Sequence, residues 1–152
     1  MSKHIRDFQR SKVYYAQRVF HEKMKGKVKF IGYESSILFW DKYFKKLLNS
    51  KFIKNNYPTI ERIEVIESKN GPNTSSFMSW GGIIGLNYLN KEEPVALHEF
   101  AHTMTYHMNG FDTPGHGKEF CECFLDLVKY RLGKKAAELL EETFKECEVK
   151  FA

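Results

Sequence analysis

His98-Glu99-Phe100-Ala101-His102 is the stretch on which the reading of this chain turns. In an α-helix, residues four apart stand one turn above one another on the same face. A helix here puts the imidazoles of His98 and His102 side by side, with Glu99 about 100° further round the axis. The surrounding residues carry the helical pattern. Leu97, Phe100, Ala101, Met104 and Met108 fall in one apolar stripe at the spacing of a core-facing helix. His98 and His102 lie together at one border of that stripe. Asn90 and Glu93 resemble a capping pair before it, Pro94 fits only near a first turn, and Asn109-Gly110 closes it where a left-handed residue is needed. The spacing predicts a helix with the pentad in its middle, half buried.

Two histidines on one helical face can bind one metal ion. A glutamate beside that ion, rather than on it, can serve as general base. This combination is the signature of a zinc metallopeptidase. An ordinary helix with surface His and Glu has the same spacing, so the ligand count decides. Zinc hydrolases usually offer three protein ligands and leave the fourth position to water. Phe111-Asp112-Thr113-Pro114-Gly115-His116-Gly117-Lys118-Glu119-Phe120 supplies the third. His116 sits between two glycines at the start of the next helical pattern, where the backbone can approach a metal closely. Glu119, about one turn on, is the rival ligand or a carboxylate holding a ligand imidazole. The expected site is one zinc on His98, His102 and His116. The zinc would polarise a scissile carbonyl and acidify its bound water, and Glu99 would take that water's proton and pass it to the leaving amine. Tyr106 and Tyr88 are candidate oxyanion donors, with packing or surface roles as the alternative.

A chain of 152 residues fits one domain, with 42% hydrophobic and 28% charged residues as in soluble globular proteins. No apolar run approaches a membrane span, and Met1-Ser2-Lys3-His4-Ile5-Arg6-Asp7 lacks the apolar core of a signal peptide, so a cytoplasmic protein with no membrane partner is expected. Cys121, Cys123 and Cys147 are an odd count with no Cys-x-x-Cys, which indicates buried free thiols rather than a disulfide framework. The net charge is +5. Lys23, Lys25, Lys27, Lys29, Lys42, Lys45 and Lys46 crowd the first third of the chain. No nucleic-acid recognition motif accompanies them, so a solvated lysine surface is preferred over a nucleic-acid interface.

Either side of the pentad the pattern alternates between helix and strand. Ile5, Phe8, Tyr15, Ala16, Val19 and Phe20 predict an amphipathic helix over residues 4–24, ended by Gly26. Val28, Phe30, Ile31 and Tyr33 suggest a short strand. Ser35 or Ser36 then caps a helix with the stripe Ile37, Trp40, Phe44, Leu47 and Leu48. The pattern breaks over 50–59, with a turn at Asn55-Asn56-Tyr57-Pro58. A strand follows around Ile63 and Val65, then a loop at Asn70-Gly71-Pro72-Asn73. Two short runs on either side of Gly81-Gly82 read as a β-hairpin, one strand of which could pair with an extended peptide. Phe120, Phe124, Leu127 and Val128 mark a helix ended by Gly133, and Ala137, Leu140, Phe144 and Cys147 mark the last.

His98-Glu99-x-x-His102 followed by His116-Gly117-x-x-Phe120 resembles the SprT-like zinc metallopeptidases of the minigluzincin kind. The fuller match is similar to a small metallohydrolase family of actinobacteria and phages, through Arg6-Asp7-Phe8-Gln9-Arg10-Ser11-Lys12-Val13-Tyr14. That early stretch has two readings: a polar surface near the cleft, or the preferred one, the solvent face and packing of the first helix. The resemblance implies zinc ligation by His98, His102 and His116 and a general base at Glu99, and it supplies no substrate. SprT-like proteins tied to DNA–protein crosslink repair often carry a C-terminal zinc ribbon or other DNA-binding part, and neither pattern occurs here. The expected fold is α+β: a single zincin-like (minigluzincin) domain over 1–152, with a small, mostly antiparallel sheet, the active-site helix and flanking helices. The expected function is zinc-dependent hydrolysis of peptide bonds in a peptide or protein substrate. The alternatives are a zinc hydrolase of a non-peptide amide, and a nucleic-acid-binding protein whose zinc is structural and closed by a fourth protein ligand.

Overall fold

The structure, a computed structural model, describes residues 7–68, 77–78, 82–87, 91–110 and 113–151. Among them are six helices: α1 (Arg10–Met24), α2 (Ile37–Leu48), α3 (Lys51–Asn56), α4 (Glu93–Asn109), α5 (Lys118–Leu132) and α6 (Lys134–Glu146). Three strands accompany them: β1 (Glu64–Ser68), β2 (Phe77–Met78) and β3 (Ile83–Asn87). The fold is α+β and rich in helix. No helix among the described residues is long and apolar enough to cross a membrane. The chain divides into two compact units, residues 1–30 with 109–152, and residues 31–108.

In the first unit, α1 packs on α6 and α6 on α5. α1 buries Val13, Ala16, Phe20 and Met24, one face at three- and four-residue spacing. This face is rotated from the expected stripe, because Phe8 and Tyr15 are more than half exposed. The Tyr15 ring stays outside with the Arg18 guanidinium 5.7 Å from its centroid. The helix starts at Arg10, and residues 4–6 of its expected range lie outside the described residues. α5 ends at Gly133, whose φ of +97° and ψ of 172° are a backbone conformation open essentially to glycine alone. Lys23 Nζ joins α1 to α6 through Glu146 at 2.8 Å and Glu142 at 3.7 Å. Cys121, Cys123 and Cys147 are free, the first two buried.

The second unit is built on α2, α3, the sheet and α4. Ser36 caps α2, its hydroxyl accepting from the Phe39 N–H at 3.2 Å. Trp40, Phe44, Leu47 and Leu48 form the buried face of α2. Ser50 restarts helix in the same way, accepting from the Ile53 N–H at 3.3 Å. The stretch expected to be irregular from residue 50 is therefore a six-residue helix first, with the turn after it. Six residues are too few to display a helical period.

The sheet order is β1-β3-β2. β2 and β3 are antiparallel, Phe77 opposite Gly85 and Met78 opposite Ile84, as the hairpin reading expected. The longer pairing, from Glu64↔Ile83 to Ser68↔Asn87, is parallel. The sheet is thus mixed, and the expectation of a mostly antiparallel sheet is corrected. Parallel neighbours need a long connection rather than a tight turn, and here the chain reaches β3 only after passing through β2. Gly82 opens β3 at φ +87°, where a side chain would run into the Arg62 carbonyl. Its own carbonyl accepts from the Glu64 N–H at 2.7 Å.

Val28–Tyr33 is not a strand. Its backbone groups are used instead on the start of α4. The Ile31 N–H donates to Glu93 Oε1 at 2.9 Å, and the Glu93 N–H donates to the Ile31 carbonyl at 3.0 Å. The Glu34 N–H donates to the Lys91 carbonyl at 3.0 Å. The Tyr43 hydroxyl donates to the other Glu93 oxygen. Buried Lys91 donates from Nζ to the Ser35 carbonyl at 3.1 Å and pairs with Glu67 at 3.3 Å. These bonds hold the first turn of α4, and with it the level at which the pentad enters the unit.

Candidate metal centre

α4 runs from Glu93 to Asn109, with Pro94 in its first turn and Gly110 at φ +79° after its last residue. Both breakers stand where the sequence placed them. Asn90, the expected cap, lies outside the described residues. Every residue from Ala96 to Thr105 is buried, so the pentad is enclosed rather than half buried. His98 and Glu99 are each 3% exposed and His102 is 9%. The Phe100 ring stacks on Phe44 of α2 at 5.8 Å between centroids and 7° between planes. Met108, by contrast, is exposed although it belongs to the expected stripe.

His98 and His102 meet as the helical spacing requires. Their Nε2 atoms are 3.1 Å apart and their ring centroids 4.8 Å. Two imidazole nitrogens on one tetrahedral zinc, each about 2.0–2.1 Å from it, lie about 3.3 Å apart. The pair therefore fits a single zinc-sized cation, and nitrogen donors suit that metal. The Tyr106 ring lies nearly parallel to His102, 6.1 Å between centroids and 17° between planes. Tyr88, the other candidate oxyanion donor, lies outside the described residues.

Glu99 Oε1 lies 3.8 Å from His98 Nε2, beside the pair and not within it. Burial pushes the Glu99 carboxyl from its ordinary 4.5 up to about 8. The fold thus prefers this group protonated. Its folded value lies above its unfolded one, so the stability it contributes is complete below about pH 4.5 and is lost as pH rises through 8. Glu99→Gln removes this titration. In chelator-treated protein the melting temperature of the variant should exceed that of the wild type by an amount that grows between pH 5 and pH 8.5, by several degrees at about 2–4 °C per kcal/mol. A constant difference across that range would show that Glu99 does not bear the burial cost.

His116 belongs to the first unit, just ahead of α5, and is 5% exposed. The rings of Tyr14 and Phe120 pack against its imidazole, each 5.1 Å away by ring centroid. Asp7 holds it twice: Oδ1 accepts from the His116 N–H at 3.0 Å, and Oδ2 lies 2.7 Å from Nδ1. Gln9 Nε2 donates to the His116 carbonyl at 2.9 Å. Burial lowers the His116 pKa, with Asp7 opposing that shift. Glu119 is half-buried, its Oε2 3.2 Å from where a Cβ on Gly117 would stand. That carboxylate and the Pro114 ring leave position 117 no comfortable room for a side chain.

The preferred reading of the sequence assigns Asp7 and Gln9 to the solvent face and packing of a first helix. They precede α1 and turn their side chains onto a residue more than a hundred positions away. The signals in the sequence were a polar Asp-x-Gln ahead of an apolar helical stripe and the second reading of Arg6–Tyr14 as a polar surface near the cleft, and neither names His116 as the partner. No protein-family model, curated protein or solved structure matches the chain.

Proposed function

We propose that the chain is a zinc-dependent hydrolase that cleaves peptide bonds, with a zincin-like arrangement around α4. The observation that carries this reading is the pair of Nε2 atoms 3.1 Å apart with the enclosed Glu99 carboxyl 3.8 Å from one of them. In this reading the ion falls to His98, His102 and His116, each of them buried. They would be the three ligands, with one position left for water. When bound, zinc supplies Lewis-acid polarisation, acidification of water and a charge that draws Glu99 back to its ionised form.

The protein's own residues then do the rest. Glu99 accepts a proton from the attacking water and delivers it to the leaving amine. Glu99 is 3% exposed, so bulk water is kept from its carboxylate, which strengthens its interactions. Glu93, Ile31 and Lys91 fix where the helix begins.

Zinc content tests the donor set directly. Purified protein should carry about one zinc per chain, the count of a mononuclear site. His116→Ala should lose most of it, and Glu119→Ala should keep it. The reverse pattern would make Glu119 the third ligand.

A further inference from the structure

We propose that Asp7 and Gln9 are positioning residues for His116 as a metal ligand, an assignment that rests on the zinc reading above. A ligand histidine must present one ring nitrogen unprotonated at a fixed angle, and the hydrogen bond at its other nitrogen decides which one. Asp7 Oδ2, 2.7 Å from Nδ1, accepts a hydrogen bond from a proton held on Nδ1 and so leaves Nε2 unprotonated for ligation. The same carboxylate accepts the His116 N–H at 3.0 Å, so one side chain holds both the ring and its backbone. Gln9, 2% exposed, holds the other side of the peptide. Its Nε2 donates to the carbonyls of His116 and Lys150, each at 2.9 Å, and its Oε1 accepts from the Lys150 N–H at 2.9 Å. The segment before α1 thus ties the His116 turn to the last residues described in the chain.

A scaffold needs only the backbone bonds. The charged contact to Nδ1 is what a ligand needs, because it sets the tautomer and raises the basicity of Nε2. The Tyr14 and Phe120 rings, packed against the imidazole at 5.1 Å by centroid, limit its rotation.

Asp7→Asn is isosteric and reverses this logic. If its oxygen keeps the His116 N–H, its amide must donate to Nδ1, which moves the ring proton to Nε2 and blocks ligation. Three measurements separate the outcomes: the His116 tautomer by ¹⁵N NMR in metal-free protein, zinc affinity by chelator competition, and the metal-free melting temperature. The wild type should show the Nδ1–H form and Asp7→Asn the Nε2–H form. Zinc affinity should fall about 10–100-fold, the usual effect of losing such a partner. The metal-free melting temperature should change little, and Asp7→Glu should recover the tautomer and part of the affinity. Wild-type tautomer and affinity in Asp7→Asn, with zinc lost in His116→Ala, would reduce Asp7 to scaffold. So would a metal-free Asp7→Asn that no longer folds while Asp7→Glu folds without regaining zinc. A wild type that takes up no zinc would overturn the zinc reading itself, and this assignment with it.

Discussion

Glu99→Gln should leave the protein folded with one zinc per chain and remove nearly all hydrolysis of an unfolded protein substrate. The expected deficit is at least the roughly 10²–10⁴-fold that follows loss of a positioned general base, about 3–5 kcal/mol of barrier. The reasoning is geometric. Glu99 follows His98 by one residue, so the helix turns it away from the shared face while its carboxylate stays 3.8 Å from His98 Nε2. A group so placed acts on a proton near the metal without holding the metal. Gln keeps the size and polarity of the side chain and cannot take the proton. Wild type and variant are compared on the same samples for zinc content and rate. Equal rates would remove Glu99 from the mechanism. Inactivity of both on protein, with activity of the wild type on a panel of small amides, would move the substrate to the non-peptide class and leave the roles of the residues unchanged.

What the chain discloses in advance depends on how far apart the interacting residues are. The His98–His102 pairing, the Pro94 and Gly110 boundaries and a serine cap at 35 or 36 are all settled within one or two turns of helix, and each was legible. The register of β1 on β3 was not, because pairing Glu64 with Ile83 rather than with β2 depends on the path between them. Ile31 looked like strand because its neighbours alternate. Its hydrogen-bonding groups instead go to Glu93, whose identity no local window contains. Tyr15 misplaced the face of α1 because an exposed aromatic counts as apolar in a periodicity. The proposed third ligand divides in the same way. His116 between two glycines was visible in the sequence. The Asp7 carboxylate that orients its ring and the Gln9 amide that holds its carbonyl come from the opposite end of the chain.

Zinc should raise the melting temperature of the wild type by about 8–16 °C, and His102→Ala should abolish that rise. A ligand that binds only the folded state stabilises it by about 4 kcal/mol when present at a thousand times its Kd. In a chain of 152 residues each kcal/mol moves the midpoint by about 2–4 °C. His102 offers one of two nitrogens 3.1 Å apart, so truncating it leaves His98 without its partner nitrogen. The metal-free variant gives the cost of removing the ring from its buried position, measured apart from the metal. His107→Ala supplies the control. It lies on the same helix but is exposed, and its spacing from His98 turns it to the opposite side of the axis. It should retain the whole zinc-dependent rise. A rise that survives in His102→Ala, or that disappears in His107→Ala, would mean that zinc acts through surface side chains rather than through the pair on α4. No rise in the wild type, with zinc well above micromolar, would mean that the two nitrogens share only a hydrogen bond.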